Sequence, residues 1–98
     1  MNIEINSAHF EVNQELSELI HKKVGKIERF YDHILGCAVF LNEEGHSEHN
    51  REKIVEIRVN VKEVTLFCKE SASMYEQALD LAVENMKRQL KKYKDKHS

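Results

Sequence analysis

Ten cations in two clusters are the side chains best placed to do chemistry here, and that chemistry is the neutralisation of an anion. Residues 87–98 hold Lys87, Arg88, Lys91, Lys92, Lys94 and Lys96 against Asp95, a net charge of +5. Residues 21–29 hold Lys22, Lys23, Lys26 and Arg29 against Glu28, a net charge of +3. The whole chain carries −2, so the remaining segments carry −10. An acidic body with two basic spots steers one part of its surface towards a polyanion.

Each cluster has a plainer account. Glu76, Asp80 and Glu84 precede the C-terminal cations, so the run complements a helix macrodipole, and Glu84 can pair with Arg88 at i,i+4. That account needs cations only in the final turn, whereas six occur in twelve residues. On a helix, Lys87, Arg88 and Lys91 project away from the apolar stripe, with Lys92 and Lys94 nearer its flanks. In the first cluster Lys22, Lys26 and Arg29 share one side at i, i+4 and i+7, and a solvated face explains them as readily as a phosphate site. Lys23 falls inside the apolar stripe and must snorkel to reach water or an anion.

Other chemistry finds little support. His46 and His49 resemble a metal pair near Glu43 and Glu44, but no further ligands stand at zinc-site spacing, so neither metal nor cofactor is expected. With only Gly25, Gly36 and Gly45, no Gly-rich phosphate loop can form. Neither a Gly-x-Ser-x-Gly elbow nor a His-Glu-x-x-His pair occurs, so no enzyme and no small-molecule substrate are expected. Phe40 and Phe67 can lie on an outer sheet face and offer stacking to bases, although lone exposed aromatics or a covered face serve as well.

The elements that must position these residues follow from periodicity. Asn2–Asn6 alternates with period two, as a half-buried strand does. Asn13 can cap a helix whose apolar positions Leu16, Leu19, Ile20, Val24, Ile27 and Tyr31 follow the 3.6-residue period. Gly25 lies inside it at a cost of up to about 1 kcal/mol against Ala, which close packing or a close backbone approach would explain. Strands are expected over 37–42, 53–61 and 64–70, with a polar loop at 43–52 and a tight turn near Lys62 and Glu63. Ser73 with Glu76 matches a capping box, opening a helix with the stripe Tyr75, Ala78, Leu79, Ala82, Met86, Leu90 and Tyr93. The order is β-α-β-β-β-α, an α+β domain with a four-stranded sheet and two helices on one face.

Ninety-eight residues suit one domain, 1–98, which buries roughly 60–70% of its unfolded surface. The composition, 41% hydrophobic and 33% charged, is globular. No apolar run reaches the roughly 20 residues that span a bilayer, so no membrane is expected. The first twenty residues contain acids and no Lys or Arg, unlike a signal peptide, and a cytoplasmic location is expected. Cys37 and Cys68 sit in β-like apolar runs and read as reduced core residues.

The C-terminal helix carries a resemblance. Met74-Tyr75, then Ala78-Leu79-Asp80, then the run Lys87-Arg88-Gln89-Leu90-Lys91-Lys92-Tyr93-Lys94-Asp95-Lys96 resembles the ribosome hibernation-promoting factors. That family is also known as ribosome-associated inhibitor or sigma-54 modulation proteins. Lys23, Lys26-Ile27-Glu28 and the exit Phe30-Tyr31-Asp32-His33-Ile34 fit too, and the likeness covers essentially the whole chain. Ser73 stands where the family commonly has Asp, and the overall acidity departs from its short members.

The resemblance implies a fold like double-stranded-RNA-binding domains. It also implies a place in the mRNA and tRNA channel of the small ribosomal subunit, among rRNA and ribosomal proteins. There such factors block translation and preserve idle ribosomes in stationary or stressed bacteria. Carried over by position, the rRNA contacts are Lys23, Lys26, Arg88, Lys92, Lys94 and Lys96. Charge geometry adds Lys22, Arg29, Lys87 and Lys91. A short-type factor, monomeric when free, is expected. The alternative is a protein-interaction regulator of transcription that uses the acidic surface and has no ribosome role.

Overall fold

Alternating β-branched and polar residues produce a four-stranded sheet, and two amphipathic helices cover one side of it. The computed structural model describes residues 1–45 and 51–97. In chain order the elements are β1 (Ile3–Ser7), α1 (Gln14–Gly25), a 3-10 turn (Lys26–Arg29), β2 (Gly36–Glu44), β3 (Glu52–Asn60), β4 (Thr65–Ala72) and α2 (Tyr75–Lys96). The sheet order is β1-β2-β3-β4. β1 runs parallel to β2, with Ile5 opposite Val39. The other neighbours are antiparallel, with Val39 opposite Ile57 and Ile57 opposite Cys68.

Each strand turns mainly one face to the helices. Cys37, Val39, Leu41, Val55, Ile57, Val59 and Cys68 join Ile20, Val24 and Ile27 from the first helical segment in a single core. From α2, Leu79, Ala82, Met86 and Leu90 complete it. Two strands outrun expectation, with β2 reaching Glu44 and β4 reaching Ala72. Cross-strand pairs Glu43 with Lys53 and Lys53 with Ala72 continue the ladders through residues whose polarity had suggested loop. The tight turn holds, closed by Val61 N–H donating to the Val64 carbonyl at 3.0 Å.

The helix starts differ from one another. Asn13 caps α1, its side chain accepting from the Leu16 N–H at 2.8 Å. The capping box expected at Ser73 does not form. Met74 is the cap residue of α2 and makes no side-chain cap bond, while Ser73 Oγ donates to Gln77 Oε1 at 3.1 Å. Ser73 stands one residue too early to reach the first free amides, and Glu76 instead turns towards Lys23. Gly25 also departs from expectation. A Cβ there would meet nothing within 4 Å, so no intramolecular close packing requires it.

That glycine marks where α1 tightens into the 3-10 turn. At three residues per turn, Arg29 lies over Lys26 rather than fanning away from it. Tyr31, just beyond, meets Tyr93 edge to face at 5.7 Å and ties this exit to the last turns of α2.

Candidate nucleic-acid interface

The two helices lie side by side, and their facing flanks carry charge. Lys26 from the 3-10 turn and Lys87 from α2 converge on one cleft of about 150 Å³, lined also by Lys23, Asp80, Val83 and Glu84. Members of the two clusters, some sixty residues apart in the chain, therefore meet at this cleft.

Within it the cations are not equivalent. Lys23 does snorkel, and the anion it finds belongs to its own chain. Its Nζ donates to Asp80 Oδ1 and lies 3.8 Å from Glu76 Oε1. The hydrogen bond to Asp80 holds the Lys23 ammonium above its ordinary value of 10.5, and the charges of Asp80 and Glu76 add to it. Lys87 is also engaged. It does not project freely as the helical wheel suggests. It is half-buried, with Nζ 3.3 Å from Glu84 Oε1 and 5.1 Å from the centre of the Phe30 ring.

The other eight, Lys22, Lys26, Arg29, Arg88, Lys91, Lys92, Lys94 and Lys96, are exposed and form no ion pair among the described residues. On α2 the run divides. Arg88 and Lys91 face solvent, while Lys92 and Lys96 turn to the β4 side, beside Glu63, Val64 and Gln89. A surface of unpaired cations on rigid helices can replace the counterions of a phosphate backbone without chemistry of its own.

The uncovered sheet face is different in character. Phe67 is 63% exposed on it. Phe40 is partly buried and carries the Arg58 guanidinium 4.5 Å from its ring centre, with Arg58 Nε also bonded to Glu56 at 2.6 Å. Sequence reasoning placed both rings correctly on this face but missed the role of Arg58, which only the cross-strand register brings onto Phe40. It missed Phe30 as a seat for Lys87 because only the packing of the 3-10 exit against α2 brings that ring under the lysine.

Cys37 and Cys68 are buried and unpaired, and burial pushes both thiols up to about 11. His46 and His49 lie outside the described residues. Among the described residues no group of three or more His, Cys, Asp or Glu side chains is placed to hold a metal. No described helix is long and apolar enough to cross a membrane.

Comparison with known proteins agrees with this architecture. The family model described as sigma 54 modulation protein / S30EA ribosomal protein matches residues 3–98. A ribosome hibernation promotion factor of Bacillus subtilis is 31% identical over 97 residues, covering 98% of this chain and 50% of that protein. One from Deinococcus radiodurans is 27% identical over 95 residues, covering 96% and 49%. The chain spans about half the length of the curated relatives it matches.

Two solved structures share the fold. A ribosomal subunit interface protein from Coxiella burnetii has a TM-score of 0.83 at 24% identity, covering 97% of this chain and 99% of that one. The N-terminal domain of Thermus thermophilus Protein Y has a TM-score of 0.81 at 23% identity, covering 95% and 99%.

Proposed function

This chain belongs to the sigma 54 modulation protein / S30EA ribosomal protein family, and from that premise we propose that it is a ribosome hibernation factor. It binds the small ribosomal subunit in the mRNA and tRNA channel, occupies that path as a rigid body, and so blocks translation and preserves idle ribosomes. The contact runs through rRNA phosphates. The observation that carries this reading is the gathering of eight exposed cations, free of ion pairs among the described residues, on two adjacent helices of an otherwise acidic chain. Relatives named ribosome hibernation promotion factor support it.

Within the proposed interface, Lys26, Arg29, Arg88 and Lys91 act as direct phosphate contacts, with Lys22, Lys92, Lys94 and Lys96 around them. Lys23 acts mainly by clasping α1 to Asp80 of α2, while Lys87, paired with Glu84 of its own helix, packs on Phe30.

The test is Arg88→Glu combined with Lys91→Glu, followed by sedimentation with small subunits. Both side chains are exposed and leave the core untouched. Cosedimentation should disappear while the circular dichroism spectrum stays native, and Lys69→Glu on the far sheet face should sediment like wild type. With about five phosphate contacts, log affinity should fall against log salt with a slope of roughly −3.5 to −4.5. Retained binding by the folded double variant would remove α2 from the interface. A regulator of transcription with no ribosome role would leave the wild-type protein out of ribosomal fractions altogether.

A further inference from the structure

The turn of α2 that sends Lys92 and Lys96 to the β4 side sets them on the rim of a second, larger cleft. It measures about 690 Å³ and lies between the end of α2 and the β3–β4 turn. Its size falls in the range of about 300–1,000 Å³ typical of small-ligand clefts. Val64, 43% exposed, and Leu66 supply apolar wall, and Tyr93 and His97 close it with rings stacked 4.2 Å apart. Glu63 and Asp95 also line it, so a bare phosphate would meet as much repulsion as attraction. A nucleotide differs from a bare phosphate. Its base buries apolar surface and its exocyclic amino group can donate to carboxylates, while its phosphate meets lysines at the rim.

We propose that this cleft receives one unstacked nucleotide of the bound RNA. The base enters between Val64, Leu66 and the Tyr93–His97 stack, and the adjoining phosphates lie on Lys92 and Lys96. The proposal rests on the RNA-binding reading of the helices. It adds to it a preference for RNA with an unpaired base, which a phosphate-only surface would lack.

The test compares a short RNA duplex with the same duplex carrying one unpaired adenosine, by fluorescence anisotropy at low salt. Wild type should bind the second about fivefold or more tightly, the contribution of one stacked base. Val64→Asn removes an apolar wall without changing charge. It should abolish the preference while leaving duplex affinity and its salt slope unchanged. With 2-aminopurine as the unpaired base, wild type should shift its fluorescence and Val64→Asn should not. If Val64→Asn disturbs the turn, Val64→Thr keeps the shape of valine and makes the same comparison. Equal affinity of wild type for both RNAs, or a preference that survives in the folded Val64 variants, overturns the cleft proposal and leaves the helix interface standing. Loss of all salt-dependent duplex binding in wild type would instead bring down the reading beneath it.

Discussion

Replacing Lys23 with Met removes a charge while keeping the length of the apolar stem, and so isolates the clasp between α1 and α2. The Lys23 side chain is 20% exposed, but Asp80 and Glu76 are 56% and 57% exposed, so solvent screens the pair on one side. Exposed pairs contribute about 0.2–1 kcal/mol, and the shielded ammonium places this one near the top of that range. In a domain of this size, about 1 kcal/mol lowers the melting temperature by roughly 4 °C or more.

A double-mutant cycle with Asp80→Asn, read by urea denaturation, should return a coupling of about 0.5–1 kcal/mol, smaller at high salt. The pH dependence has a definite sign. Because the folded ammonium is held above 10.5, its contribution is complete below that value and is lost as pH rises through the higher folded value. A coupling below about 0.3 kcal/mol would mean that the contact does not join the helices energetically. If Lys23→Met melts like wild type yet loses ribosome binding, Lys23 is an RNA contact and the clasp argument fails.

Three further outcomes follow from the same geometry. Gly25→Ala should stabilise the domain by about 0.4–1 kcal/mol in chemical denaturation, since the backbone at φ −58°, ψ −25° suits alanine and the added methyl meets nothing. Asn13→Ala should cost about 0.5–2 kcal/mol, visible as an earlier thermal transition, because the Leu16 amide loses its acceptor. Cys37 and Cys68 should resist a thiol reagent in the native state and react on unfolding. Between pH 9 and about 11 the unfolded chain ionises both thiols while the fold keeps them protonated. Stability should therefore fall there by roughly 1.4 kcal/mol per thiol per pH unit, measured by urea titration across that range.

The parts of this molecule legible in its sequence are those set by local periodicity. Val55, Ile57 and Val59 alternate, so β3 and its inward face could be read directly. The stripe through Leu79, Met86 and Leu90 likewise fixed the buried side of α2. Asn13 was readable because a cap acts within three residues. Ser73 was misread because the capping pattern does not say whether the chain has already left its strand, and here β4 runs on to Ala72.

The candidate site divides in the same way. That the basic residues cluster is a property of the sequence. Which of them are free depends on contacts made across the fold. Lys23 is engaged by a carboxylate fifty-seven positions away, and Lys87 rests on the Phe30 ring just beyond the 3-10 turn. The larger cleft could not be foreseen, because Val64 and Tyr93 become neighbours only when the β3–β4 turn folds against the end of α2.

The parallel pairing of β1 with β2 also bears on how the chain acquires its shape. β3 and β4 are joined by the four residues Val61–Val64 and can zip together almost at once. β1 has no such neighbour. It reaches β2 only after residues 8–35 have ordered into α1 and its exit, and closing that longer loop costs entropy before any ladder bond is made. Docking of the N-terminal strand with its helix is therefore expected last in folding and first in partial opening. Amide protons of β1 and α1 should exchange with solvent sooner than those of β3. Four of the ten clustered cations, from Lys22 to Arg29, belong to this unit, so an rRNA that grips both helices would also hold that joint closed.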